Sequence, residues 1–209
     1  MNGEDVKALL VRIADVMDEN RDALCALDGE IGDADHGIAM SGGFGAVRQA
    51  VSEMQGGTPT EVFNTAAKAF LNAVGASSGP LYATALMRAG ASVKGKDVIE
   101  AGDIAGLVPA MAEGIAHRGK ANVGDKTMLD AWQPAADAAQ STDGEPAAAL
   151  ANAADAAETG AEATADMLAN LGRSARLGER SLGHKDPGAV SAAIMVRTMA
   201  TVVAELEEE

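Results

Sequence analysis

At 209 residues and a formal net charge of −15, the chain is long enough for one well-buried core and too acidic to offer nucleic acid or an anionic membrane a basic face. The single cysteine, Cys25, excludes an internal disulfide and fits a reducing compartment. Aromatic residues are only 2% of the total and alanine is abundant, which favours long, closely approaching helices and predicts an all-α fold.

The pattern of apolar positions and breakers marks eight helices in a single domain spanning residues 1–209. The first runs from about Glu4 to Leu27, with Val6, Leu9, Leu10, Ile13, Val16 and Met17 on one face. The second extends from Gly37 to the pair Gly56-Gly57, the third from a Thr58-Pro59 cap to Val74, and the fourth from about Leu81 to Ser92. A fifth covers Ala101 to His117 and a sixth Thr127 to Gln140. An Ala-rich seventh spans Ala147 to Asn170, where a loop from Leu171 to Asp186 begins. The eighth starts at Pro187 behind an Asp186 N-cap and ends near Leu206. The N-terminus lacks the basic region and apolar run of a signal peptide, and no stretch approaches the ~18 uninterrupted apolar residues of a membrane span. A cytoplasmic location, without membrane or nucleic-acid partners, is the expectation.

Antiparallel packing of consecutive helices puts alternate connections at the same end. Loops 1–2, 3–4, 5–6 and 7–8 then share one rim, and they hold nearly all the chemically distinctive residues. The first is Asp28-Gly-Glu-Ile-Gly-Asp33-Ala-Asp35-His36-Gly37, whose three carboxylates repel one another unless a cation neutralises them. Oxygen donors select Mg²⁺ or Ca²⁺, and the spacing does not match an EF-hand. An acidic turn between helices is the plain alternative. Loop 3–4, Gly75-Ala-Ser-Ser-Gly79, opens a helix with small residues suited to a phosphate or to simple capping. Loop 5–6 contains Gly119-Lys-Ala-Asn-Val-Gly124-Asp125-Lys126-Thr127, which nearly spells a P-loop. Asp125 stands where the lysine should, and no strand precedes it, so a Walker fold is rejected. Loop 7–8 concentrates Arg173, Arg176, Arg180, His184 and Lys185, a counter-pole for phosphates or a set of surface ion pairs.

Four segments together, Asp28 to Gly37, Ser77-Ser78-Gly79-Pro80-Leu81, Gly124-Asp125-Lys126-Thr127-Met128 and Gly178 to Gly188, resemble the nucleotide-binding L subunit of dihydroxyacetone kinase. The resemblance runs in order along essentially the whole chain. It implies a barrel of eight antiparallel helices with the nucleotide at one end. It further implies that Asp28, Asp33 and Asp35 hold two Mg²⁺ ions. His36, Gly37, Ile38, Ala39, Ser77 and Ser78 would contact the phosphates of ADP or ATP. Gly119, Thr127 and Met128 would line the nucleotide pocket, and Arg173, Asp186, Pro187 and Gly188 would close over it, with Arg173 as the catalytic residue. Arg176 stands where the family often has tyrosine.

The resemblance implies a phosphoryl-donor subunit that works with a ketose-binding K subunit. ADP would be rephosphorylated in place by the phosphocarrier M subunit of a phosphotransferase system. Two alternatives stay open at this point: an ATP-dependent triose or tetrulose kinase subunit that exchanges ADP for ATP, and a non-catalytic nucleotide-binding regulatory module. Self-association is also left open.

Overall fold

The computed structural model describes residues 1–75, 78–142 and 144–208. The regular elements among them are helical: α1 (Gly3–Glu19), α2 (Arg21–Ile31), α3 (His36–Ser52), α4 (Pro59–Ala73), α5 (Ser78–Ser92), α6 (Ala101–Ile104), α7 (Leu107–Gly119), α8 (Leu129–Ser141), α9 (Pro146–Ala163) and α10 (Pro187–Glu208). Two 3₁₀ segments, Thr164–Asp166 and Ser174–Ser181, lie between α9 and α10. The protein is all-α, as its composition predicts.

Eight of the helices close a ring in which α1, α3, α4, α5, α7, α8, α9 and α10 each pack on the next and α10 returns to α1. The short α6 leads into α7, and α2 leans on α3 and α10 at one end. Each ring helix turns its apolar stripe inward. An aromatic trio (Phe44, Phe70 and Tyr82, with centroids 5.0–6.1 Å apart) fills one part of the interior. Elsewhere small residues set the spacing. A Cβ on Gly160 would lie 2.0 Å from the Asp130 carbonyl oxygen, so α9 and α8 pack backbone to backbone there. Helix α10 is long and apolar enough to span a membrane, yet most of it is buried against α1, α8 and α9 as a wall of the ring.

Among the boundaries that differ from the predicted ones, three have a clear local reason. The first predicted helix is two, divided at Asn20, whose side chain donates to the Val16 carbonyl oxygen at 2.8 Å beside its own backbone N–H at 3.1 Å. The fifth is interrupted after Ile104, where residues 105 and 106 turn the chain from α6 into α7. The seventh ends at Ala163, seven residues early, because the Thr164 and Met167 carbonyls are taken by a lysine from another loop.

Candidate functional site

The alternation of the ring brings the N-termini of α3, α5, α8 and α10 to the same rim, around a cleft of about 470 Å³. His36, Ser78, Leu129 and Pro187, the first residues of those helices, all line it. Each helix start carries roughly half a positive charge, so four of them oppose the field of an acidic chain at this one place. Asp186 caps α10 as expected, its carboxylate accepting from the Ala189 N–H at 2.7 Å.

The three aspartates converge at the mouth. Asp28 sits in the last turn of α2 and is nearly buried, whereas Asp33 and Asp35 stand exposed on the following turn. One oxygen from each can be chosen so that all three lie within 4.8 Å of one another. Asp28 Oδ2 accepts from the backbone N–H groups of Asp35 (2.9 Å) and His36 (3.3 Å), which locks the turn around the carboxylate. A Cβ on Gly32 would lie 2.1 Å from Asp28 Oδ1, so only glycine lets the chain pass that close. Ala34 takes a left-handed φ of 61° to complete the bend. Three hard oxygen donors, one of them pre-oriented, fit a divalent cation of the Mg²⁺ type.

Beside them, Arg173 pairs with Asp33 and lies 3.8 Å from Asp35. Of the other basic residues in that loop, Lys185 pairs with Glu162 at 2.8 Å and His184 lies 3.7 Å from Glu30. Among the described residues of this loop Arg173 is the one that joins the carboxylates, and the surface-pair reading holds for Lys185. His36 bonds to Ser191 Oγ through Nε2 at 2.9 Å, and burial holds its imidazole below the usual histidine range against the pull of Asp28. Since Ser191 Oγ donates to the Gly188 carbonyl oxygen at 3.0 Å, it is placed to accept the Nε2 proton.

Burial pushes the Asp186 carboxyl up to about 7, helped by Asp130 and Asp28 and opposed by the Ala189 N–H and Lys126. A carboxyl raised in the folded state binds more protons folded than unfolded between its ordinary value and about 7. Stability should therefore fall as pH rises through that window and level off above it. Asp186→Asn keeps a capping oxygen and removes the titration, so its stability relative to wild type should climb from pH 5 to pH 8. Urea unfolding in the presence of a chelator at those two pH values checks this, and a constant difference would refute it.

Nearly every residue expected at the site lies there. Asp28, Asp33, Asp35, His36, Ala39, Ser78, Gly119, Thr127, Met128, Arg173, Asp186, Pro187 and Gly188 all line the cleft. Gly37 and Ile38 do not. A Cβ on Gly37 would meet the Arg21 carbonyl oxygen at 1.9 Å and Cys25 Sγ at 2.8 Å, so this glycine serves the α2–α3 contact. Ile38 points outward, 62% exposed. Ser77 lies outside the described residues. Two buried charges were not anticipated. Asp130 accepts from the Gly124 and Thr127 N–H groups and shapes the loop before α8. Lys126, 1% exposed, also borders the cleft. Lys126 follows Asp125 in the segment that nearly spells a P-loop, and its ammonium points into a cage of carbonyls.

Comparison with known proteins adds independent findings. The DAK2 domain family matches residues 30–201. The ADP-binding subunit of PEP-dependent dihydroxyacetone kinase 1 from Listeria innocua is 39% identical over 184 residues, 87% of each chain. The corresponding ADP-binding subunit from Escherichia coli is 34% identical over 94% of this chain and 95% of its own. L-erythrulose 1-kinase of Mycolicibacterium smegmatis is 35% identical over 93% of this chain, which spans 35% of that longer protein. The crystal structure of the dihydroxyacetone kinase from C. freundii in complex with AMP-PNP and Mg²⁺ superposes with a TM-score of 0.72 at 25% identity, covering 94% of this chain and 33% of that one.

Proposed function

This chain belongs to the DAK2 domain family, and on that premise we propose that it is the ADP- and ATP-binding, phosphoryl-donor subunit of a dihydroxyacetone-type ketose kinase. The observation that carries the reading is the convergence of three carboxylates, one arginine and four helix N-termini on a single cleft in a chain of net charge −15. An acidic protein holds a polyphosphate only where its field is reversed locally, which four helix N-termini, Arg173 and cations on the aspartates would together do at this rim.

In the proposed reaction, Asp28, Asp33 and Asp35 hold two Mg²⁺ ions, which when bound neutralise the di- or triphosphate. Ser78 and the start of α3 present N–H groups to the phosphates, and Thr127, Met128 and Gly119 flank the nucleoside. Arg173, already against the carboxylates, is placed to follow the charge of the transferring phosphoryl group. The phosphoryl group goes to a ketose held by a separate K subunit, and ADP is rephosphorylated in place by a phosphocarrier subunit in the cytoplasm. Positioning and charge neutralisation supply the rate, as in other phosphoryl transfers. The erythrulose kinases, 33–35% identical to this chain and about three times its length, favour a tetrulose as the alternative substrate, and we carry with it a second reading in which ADP exchanges for ATP at the same site.

Mass spectrometry of nucleotide released from the freshly purified, denatured protein tests both, followed by exchange against labelled ATP with Mg²⁺. Retained ADP that exchanges slowly is the expected result. Rapid exchange selects the ATP-dependent reading, and absence of any nucleotide affinity refutes both.

A further inference from the structure

Lys126 is the least explained group at the rim. Its side chain is buried, and its Nζ donates to the carbonyl oxygens of Thr164 (2.8 Å), Met167 (3.2 Å), Ser181 (2.6 Å) and His184 (2.6 Å). All four acceptors belong to the segment between α9 and α10 that carries Arg173, while Lys126 itself immediately precedes the cleft residues Thr127 and Met128 in the chain. The residue also adopts a left-handed φ of 59°, where glycine would be less strained. A side chain kept at such a position supplies something that a bare backbone cannot.

We propose that Lys126 is the positioning residue for the Arg173 segment, its ammonium gathering four carbonyls so that residues 164–184 follow a fixed course over the cleft and bound nucleotide is retained. An ammonium suits this task because it is a compact charge with three radiating donors, one of them shared between two of the four carbonyls, whereas a guanidinium presents a planar fork. The surrounding bonds close the same knot. Asn170 donates from its backbone to the Asp125 carbonyl and from its side chain to the Asp125 carboxylate, both at 3.2 Å. Gly183 N–H reaches the Ala165 carbonyl at 2.8 Å, Ala169 N–H reaches Ser181 Oγ at 3.1 Å, and Asp186 N–H reaches Thr164 Oγ1 at 2.9 Å. Without the ammonium, carbonyls on both 3₁₀ segments would lose a charged partner at once, Thr164 keeping only the Met167 N–H. The nucleotide-retention half of this inference rests on the function proposed above; the ordering of the segment does not.

The test is Lys126→Ala in the full chain, read by amide hydrogen exchange and by Mg–ADP dissociation, with and without n-propylammonium to replace the deleted atoms. Amides of residues 164–184 should exchange at least ~10-fold faster while α3, α4 and α5 hold their wild-type protection, and ADP should dissociate at least ~10-fold faster. Propylammonium should restore both and n-propanol neither. Unchanged exchange in 164–184, a uniform loss of protection around the ring, or no rescue by the amine would each overturn the assignment. Should Lys126→Ala fail to fold, ¹⁵N-lysine NMR of the wild type decides instead. Lys126 must then give a protected ammonium resonance with couplings to the carbonyls, and a freely exchanging one overturns the proposal. Wild-type protein that binds no Mg–ADP would refute the proposed function while leaving the exchange arm intact.

Discussion

Asp33→Asn is expected to lower Mg²⁺-dependent nucleotide affinity by roughly 100-fold or more while the helical ring stays folded. Asp33 is exposed, and its ion pair is with Arg173 and not with a wall of the ring, so the substitution removes one anionic donor from a three-donor set with little structural cost. Asp28 would be a poorer probe, because its carboxylate also holds the Asp35 and His36 N–H groups and its loss would unlock the turn. Titration calorimetry with ADP at saturating Mg²⁺, beside circular dichroism of the same sample, gives the answer. Unchanged affinity in a folded variant would remove the metal assignment.

Arg173→Ala should separate chemistry from binding. Its guanidinium is half exposed and faces Asp33 and Asp35, where the terminal phosphate would meet the cations, so its charge is best placed for what develops during transfer. The expected result is a fall of about 10²–10³ in single-turnover phosphoryl transfer with the K partner, with nucleotide affinity changing far less. Arg173→Lys should recover little, since one ammonium cannot span two carboxylates and a phosphate as a planar fork does. A loss confined to affinity, with full rate at saturation, would make Arg173 a binding residue only.

Much of this was legible in the chain. Apolar spacing over Val6 to Met17, the Thr58-Pro59 and Asp186-Pro187 starts and the shortage of bulky side chains all announce helices in close contact. The parity of the connections alone then puts Asp28, Ser78, Thr127 and Arg173 on one rim. Features that depend on a distant partner were not legible. Ala163 to Asn170 reads as helix because nothing local reveals that Lys126 will claim two of its carbonyls. Asn20 is neutral enough in a helix that its bond to Val16 escapes periodicity. Gly37 sits inside a motif of site residues, yet its smallness serves a contact with the Arg21 backbone that only the tertiary arrangement creates. Asp130 looks like an ordinary first-turn acid, and its role in shaping residues 124–127 depends on the loop bending back over it.

The gathering of four helix N-termini and Arg173 on one rim of an acidic chain has a kinetic corollary. A nucleotide far from the protein sees the body's net charge of −15 before it sees four helix ends and an arginine. At low ionic strength the Debye length is about 30 Å, so the repulsive body governs diffusion from most directions. Near physiological salt it shrinks to about 8 Å, and the rim's short-range attraction is what remains. Association of an anionic ligand should therefore quicken as salt is added, the reverse of an electrostatically steered encounter. Once seated, the ligand is held by near contacts that salt screens far less, so the same acidity that slows its arrival does little to hasten its escape.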